Sequence, residues 1–189
     1  MKTRFLHSCF FIAAGLWSMA CSHYSPKPAG YFRIDLPEPA YHLQEFPGFT
    51  CRLSEQAQIE TVSGVGAFFN LVYPQWNARI YCSYLPIKNG NLAQLSEESR
   101  KFVYLHAMKA DAIREQRFDN PEHKVYGLRY VIGGNVASPT QFVLTDSVRS
   151  FVRGALYFDN TPNQDSIGPV LEYINKDILV LMESFRWKQ

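Results

Sequence analysis

The sequence predicts an α+β domain, a mostly antiparallel β-sheet flanked by helices, and three observations carry that reading. Aromatic residues make up 15% of the chain, with 11 Tyr and 14 Phe, and such side chains suit pleated, half-buried surfaces. Several short segments alternate apolar and polar residues and stop at Pro, Gly or Asn, as strands joined by turns do. The C-terminal stretch instead repeats apolar residues at helical spacing. At 189 residues and 47% hydrophobic, the chain is long enough for one domain with a full core and too short for two comfortable ones.

The chain opens MKTRFLHSCFFIAAGLWSMAC. Lys2 and Arg4 make a basic start, an apolar run extends from Cys9 to Trp17, and the small residues Ser18 and Ala20 precede Cys21. That is the layout of a secretory signal, and its apolar run is too short for a stable transmembrane helix. A Cys directly after a small residue at such a cut looks like a bacterial lipobox, although Ser18 stands where many lipoboxes carry Leu. Residues 1–20 are therefore expected to be a signal peptide, with Cys21 lipidated and the polar stretch to Gly30 (SHYSPKPAG) a flexible tether. The alternative is ordinary secretion without lipid. Acyl chains contribute about 0.8 kcal/mol per buried CH₂, and several anchor a protein stably where one does not. No acidic run follows Cys21, which favours a periplasm-facing location.

Residues 31–189 are expected to form one globular domain. YFRIDLP (31–37) alternates and ends at proline, suiting an initial edge strand. FTCRL (49–53) puts Phe49, Cys51 and Leu53 on one side. GAFFNLVYP (66–74) and ARIYCSYLP (78–86) read as antiparallel neighbours joined by a PQWN turn. A helix then starts from a cap at Asn91 or Ser96, carries Leu95, Phe102, Leu105 and Met108, and ends near 109–113. KVYGLRYVI (124–132), TQFVLT (140–145) and VRSFVRGALYF (148–158) form a three-stranded meander. In the closing helix Asp165 or Ser166 caps, Pro169 fits the first turn, and Ile167, Leu171, Ile174, Ile178, Leu181 and Phe185 make one apolar stripe.

Without Lys2 and Arg4 the 19 basic residues fall to 17, equal to the 17 acidic ones. A neutral body without Lys/Arg clusters lacks the electrostatic footprint of nucleic-acid binding. Scattered histidines without His-x-x-x-His or Cys-x-x-Cys spacing give no metal site, and no cofactor motif is present. SGVGAFF precedes a strand, so its Gly-x-Gly reads as a turn and not as a phosphate cradle. Cys51 and Cys82 fall on the apolar side of their strands, where they form either a disulfide suited to an exported protein or two buried thiols.

Asp146 and Ser147 stand between two strands. As a hairpin turn they are fully accounted for, since both types bond to nearby backbone. A hydrolase would need a nucleophile elbow, absent without G-x-S-x-G, and a His base from outside any recognisable motif. Arg149 and Arg153 share a strand face with Phe151 and Tyr157, a solvated face or an anion contact. Trp76 and Trp187 suit packing.

Several phrases resemble the gliding-motility lipoprotein GldD family of Bacteroidetes: PKPAGYFRIDLP (26–37), YPQWNARIYCSY (73–84), KADAI (109–113), GNVASPTQFVLTDSVRSFVRGALYF (134–158) and PNQDSIGPVLEYINKDILVLMESFRWK (162–188). Ser150 departs from the His expected in the fourth phrase. The resemblance implies a cell-envelope lipoprotein required for gliding and tied to type IX secretion, and supplies no catalytic residues. The element order is similar in outline to the Mog1/PsbP-like class.

The expectation is a non-enzymatic, lipid-anchored envelope protein without a cofactor. Its partners are other gliding or type IX secretion envelope proteins, contacted through Tyr31, Arg33 and Asp35, Asn135 and Ser138, Thr145, Asp146 and Ser147, and Arg153. A small-ligand or lipid-binding module would show a sizeable apolar pocket between helix and sheet. A Ser hydrolase would bring Asp146, Ser147 and a His into one cleft.

Overall fold

Pro37 and Pro39 remove two backbone donors and fix φ, so the chain runs from Ile34 to Ala40 without a strand. The computed structural model describes residues 34–62, 67–106, 110–159 and 164–188, with no account of the side chains of Ala67, His106 and 164–166. The edge strand expected over 31–37 is thus absent from its described part, while Tyr31, Arg33, Cys21 and the SGVG turn lie outside the described residues.

Strand β1 (Tyr41–Glu45) begins just past the second proline and pairs antiparallel with β2 (Phe49–Ser54). Between them the Phe46 N–H donates to the Phe49 carbonyl at 2.8 Å. On its other side β2 pairs with β10 (Arg186–Trp187), which gives a small sheet of order β1-β2-β10. As its alternation predicts, β2 buries Phe49, Cys51 and Leu53.

A larger sheet has the order β3-β4-β5-β9-β8-β7-β6, every pairing antiparallel. Its strands are β3 (Gln58–Val62), β4 (Ala67–Tyr73), β5 (Ala78–Pro86), β6 (Ala112–Asn120), β7 (Val125–Gly133), β8 (Thr140–Thr145) and β9 (Ser150–Phe158). The expected β4–β5 pair is joined by a 3-10 turn, Pro74–Trp76, closed by Asn77 at φ 48°, a left-handed conformation that Asn tolerates. Pro121–His123 followed by Lys124 repeats the device between β6 and β7. The expected three-stranded meander is one strand longer, because β6 joins its outer edge.

Helix α1 spans Leu92–His106. Asn91 uses its side chain backwards, its Oδ1 accepting the Lys88 N–H at 2.8 Å, and Ser96 lies inside the helix. The far limit of the expected end, 109–113, is too late, since Ala112 and Ile113 already belong to β6, while residues 107–109, Met108 among them, lie outside the described residues. Helix α2 spans Gln164–Ser184. It starts before the expected caps, so Pro169 stands in the second turn. Ile174, Ile178, Leu181 and Phe185 are buried as expected, together with Val170 and Met182, while Ile167 and Leu171 sit half-buried at the margin.

Because side chains alternate along strands, the large sheet has two faces. The inner face, with Leu71, Tyr73, Ile80, Phe142, Leu144 and Leu156, packs against α2 and β2 in the main core. Burying each such side chain stabilises the fold by roughly 1.5–3 kcal/mol. On the outer face, Val103 of α1 meets Leu128, Tyr130 and Ile132 in a smaller cluster. Over β4 and β5 that face is open, with Phe68 and Tyr81 exposed. Among the described residues no helix is long and apolar enough to cross a membrane.

Candidate functional site

The β8–β9 connection is a closed hydrogen-bonded turn. Asp146 Oδ1 accepts the backbone N–H groups of Val148, Arg149 and Ser150 at 2.9, 2.7 and 2.9 Å. Ser147 adopts φ 68°, and its N–H donates to Thr145 Oγ1 at 2.9 Å while that hydroxyl donates to the Ser150 carbonyl at 2.8 Å. One carboxylate oxygen therefore holds the backbone on the far side of the turn. Ser147 borders a groove of about 460 Å³ that also includes Ser96, Arg117, Asp119 and Tyr126, and no described histidine lines it. His42 is in β1 of the other sheet, and His123 lies beside Glu122 at 3.8 Å. What this arrangement presents is a rigid tip, with Val148 70% exposed.

The other candidate residues do not converge on that tip. Asn135 is exposed and Ser138 fully buried in the β7–β8 connection. That loop enters β8 at the end opposite Asp146, about 20 Å away for a six-residue strand. Ser138 supports the loop from inside and offers no surface. Asp35 is exposed in the segment before β1.

Arg153 lies in the middle of β9 on the outer face, between Ser83 and Val143 of the neighbouring strands. Its guanidinium carbon is 4.1 Å from the centroid of the Phe102 ring of α1, and burial pulls its pKa down. Beside it opens a cleft of about 550 Å³ whose walls include Phe68, Asn70, Tyr81, Ser83 and Tyr157. Glu60 of β3 accepts from Asn70 Nδ2 at 2.9 Å and is ion-paired with Arg79. Sequence reasoning singled out Arg153 but missed the cleft. The available signal was the aromatics Phe68 and Tyr81, which alternate out of phase with the core residues of their strands.

Cys51 and Cys82 are buried, free thiols. Burial pushes the Cys51 thiol up to about 12, and burial together with Cys51 itself pushes Cys82 up as well. A second buried group, also missed from sequence, is Asp177 of α2. It accepts from Tyr41 Oη at 2.9 Å and from Tyr73 Oη at 3.1 Å, tying α2 to both sheets. Among the described residues no cluster of His, Cys, Asp and Glu has the arrangement to hold a metal ion.

A family model described as gliding motility lipoprotein GldD matches residues 21–187 of the chain. No curated protein matches it.

Proposed function

The chain belongs to the gliding motility lipoprotein GldD family, and on that footing we propose that it supports gliding and type IX secretion through protein–protein contacts, catalysing no reaction of its own. Acyl chains on Cys21 hold it to the membrane, the following residues to Gly30 act as a tether, and the folded body faces the periplasm. The observation that carries this reading is the span of the match, which covers residues 21–187 and so begins at the cysteine proposed as the anchor.

The geometry of the tip supports contact over chemistry. Asp146 is committed to three backbone donors, which makes it a poor partner for a catalytic relay with Ser147. Val148 projects into solvent from the same turn, and an exposed apolar side chain on a rigid support is suited to docking. Asn135 and Asp35 provide further polar contact points. Since the Asn135 loop and the Asp146 turn sit at opposite ends of β8, the body is able to touch two neighbours at once.

Cross-linking in cells, followed by affinity purification of the tagged full-length chain from solubilised envelope, tests this. Gliding or type IX secretion components should accompany the native chain and fall severalfold with Val148→Asp at equal protein abundance. Recovery that is unchanged by the substitution, or that contains no envelope protein, would count against the contact role.

A further inference from the structure

The outer-face cleft has a chemical character of its own. Its volume of about 550 Å³ falls within the roughly 300–1,000 Å³ typical of small-ligand sites. Its walls are largely apolar and aromatic, and Val62, Phe68 and Tyr81 meet solvent there at 44%, 37% and 46% exposure.

Arg153 gives the cleft one fixed positive charge. Among the described residues no carboxylate stands within ion-pair distance of it and no acceptor takes a hydrogen bond from it; its contact is with the face of Phe102. That stacking holds the guanidinium plane and leaves the donor edge available for bidentate pairing with an anion. The nearby carboxylate of Glu60 does not cancel this charge, because Arg79 and Asn70 already engage it. One of the two Asn70 amide N–H donors is engaged in the same contact. A bound peptide would bring an N–H and a C=O at every residue, more polar groups than the few hydroxyls and the one amide of these walls match, each unmatched group at a desolvation cost. One anionic end on a featureless apolar tail matches one cation among aromatic walls.

We propose that this cleft binds a free fatty acid, its carboxylate on Arg153 and its acyl chain laid along Phe68, Tyr81 and Tyr157. This does not depend on the contact role proposed above, and the two can fail separately.

The test uses the full-length lipoprotein in phosphatidylcholine vesicles, photolabelled with palmitic acid carrying a diazirine in its chain. Labelling should be saturable, competed by palmitate, and located in peptides that contain Phe68, Tyr81 or Tyr157. Arg153→Gln should lower it about tenfold or more, the loss of a hydrogen-bonded charge pair, and Arg153→Lys should restore part of it. Ser83→Trp, which fills the cleft from the solvent side of the sheet, should abolish labelling with an unchanged melting temperature; this variant decides the matter if Arg153→Gln does not fold. Equal labelling of Arg153→Gln and native protein would overturn the proposal, as would equal labelling by the corresponding diazirine alcohol. Preferential labelling of the same peptides by a diacyl phosphatidic acid probe would assign the cleft to membrane lipid and overturn it too.

Discussion

The phenol of Tyr73 donates to the carboxylate of Asp177 at 3.1 Å inside the core. Tyr73 belongs to the large sheet and Asp177 to α2, and Tyr41 of the small sheet donates to the other carboxylate oxygen at 2.9 Å. Three elements thus share one buried acceptor. Burial raises the Asp177 pKa from its ordinary value, while hydrogen bonds with Tyr41, Ser54 and Tyr73 pull the other way.

A pH dependence follows from this raised pKa. Folded Asp177 holds its proton more tightly than unfolded Asp177 does. Its contribution to stability is therefore complete below the ordinary Asp value of about 3.9 and is lost as pH rises through the higher folded pKa. Thermal melts between about pH 4 and 7 should show this component declining with pH in the native protein, and Asp177→Asn should flatten it. Asp177→Ala leaves two phenols without their acceptor and should cost about 2–4 kcal/mol. An unchanged pH slope in Asp177→Asn would show that Asp177 does not titrate in this window.

Replacing Asp146 tests the turn. Asp146→Ala removes the acceptor of three backbone N–H groups and should destabilise the domain by about 1–2 kcal/mol, whereas Asp146→Asn keeps an oxygen in place and should cost less. Ser147→Gly relieves the left-handed backbone at φ 68° and should be neutral or slightly stabilising. Chemical denaturation reads all three.

Gly154 faces Phe142 across the β8–β9 pair, and a Cβ placed on it would lie 2.3 Å from the ring. Phe142 is 1% exposed, so the ring cannot swing out to solvent. Gly154→Ala should cost about 1–3 kcal/mol through overpacking, seen as a lower melting temperature. A melting temperature equal to that of the native protein would show slack in the core at this point.

Thiol labelling addresses Cys51 and Cys82. Both are buried with raised pKa values, and only the thiolate reacts quickly. The native protein should resist iodoacetamide at about pH 8, and the denatured, unreduced protein should label at both positions. Failure to label after denaturation would mean that the two are bridged.

Where a strand is buried on one face, its alternation was readable in the sequence. FTCRL, ARIYCSYLP and TQFVLT each lie in the expected strand because one parity meets the core. QIETV and AIREQRFDN gave no such signal: β3 and β6 are the two edges of the large sheet, and Gln58–Val62 is exposed along its whole length. A polar edge strand is specified by its partner and by its resistance to further pairing, neither of which is a local pattern. Asp177 was legible in principle, since Val170, Ile174, Asp177 and Leu181 keep the four- and three-residue steps of the buried stripe. A carboxylate at such a position marks a buried partner. Phe68 and Tyr81 stood out in the sequence as aromatics off the core parity, but their meeting in one cleft was not legible, because Val62, Phe68, Tyr81 and Tyr157 come from four strands that only the sheet order brings together.

The most direct measurement compares spreading motility and type IX secretion in cells whose own gene carries Val148→Asp or Ser147→Ala, at matched protein abundance. If the body acts by touching neighbours, Val148→Asp impairs both processes and Ser147→Ala leaves them intact. The reverse pattern, loss with Ser147→Ala and normal behaviour with Val148→Asp, would replace a contact protein with a catalyst.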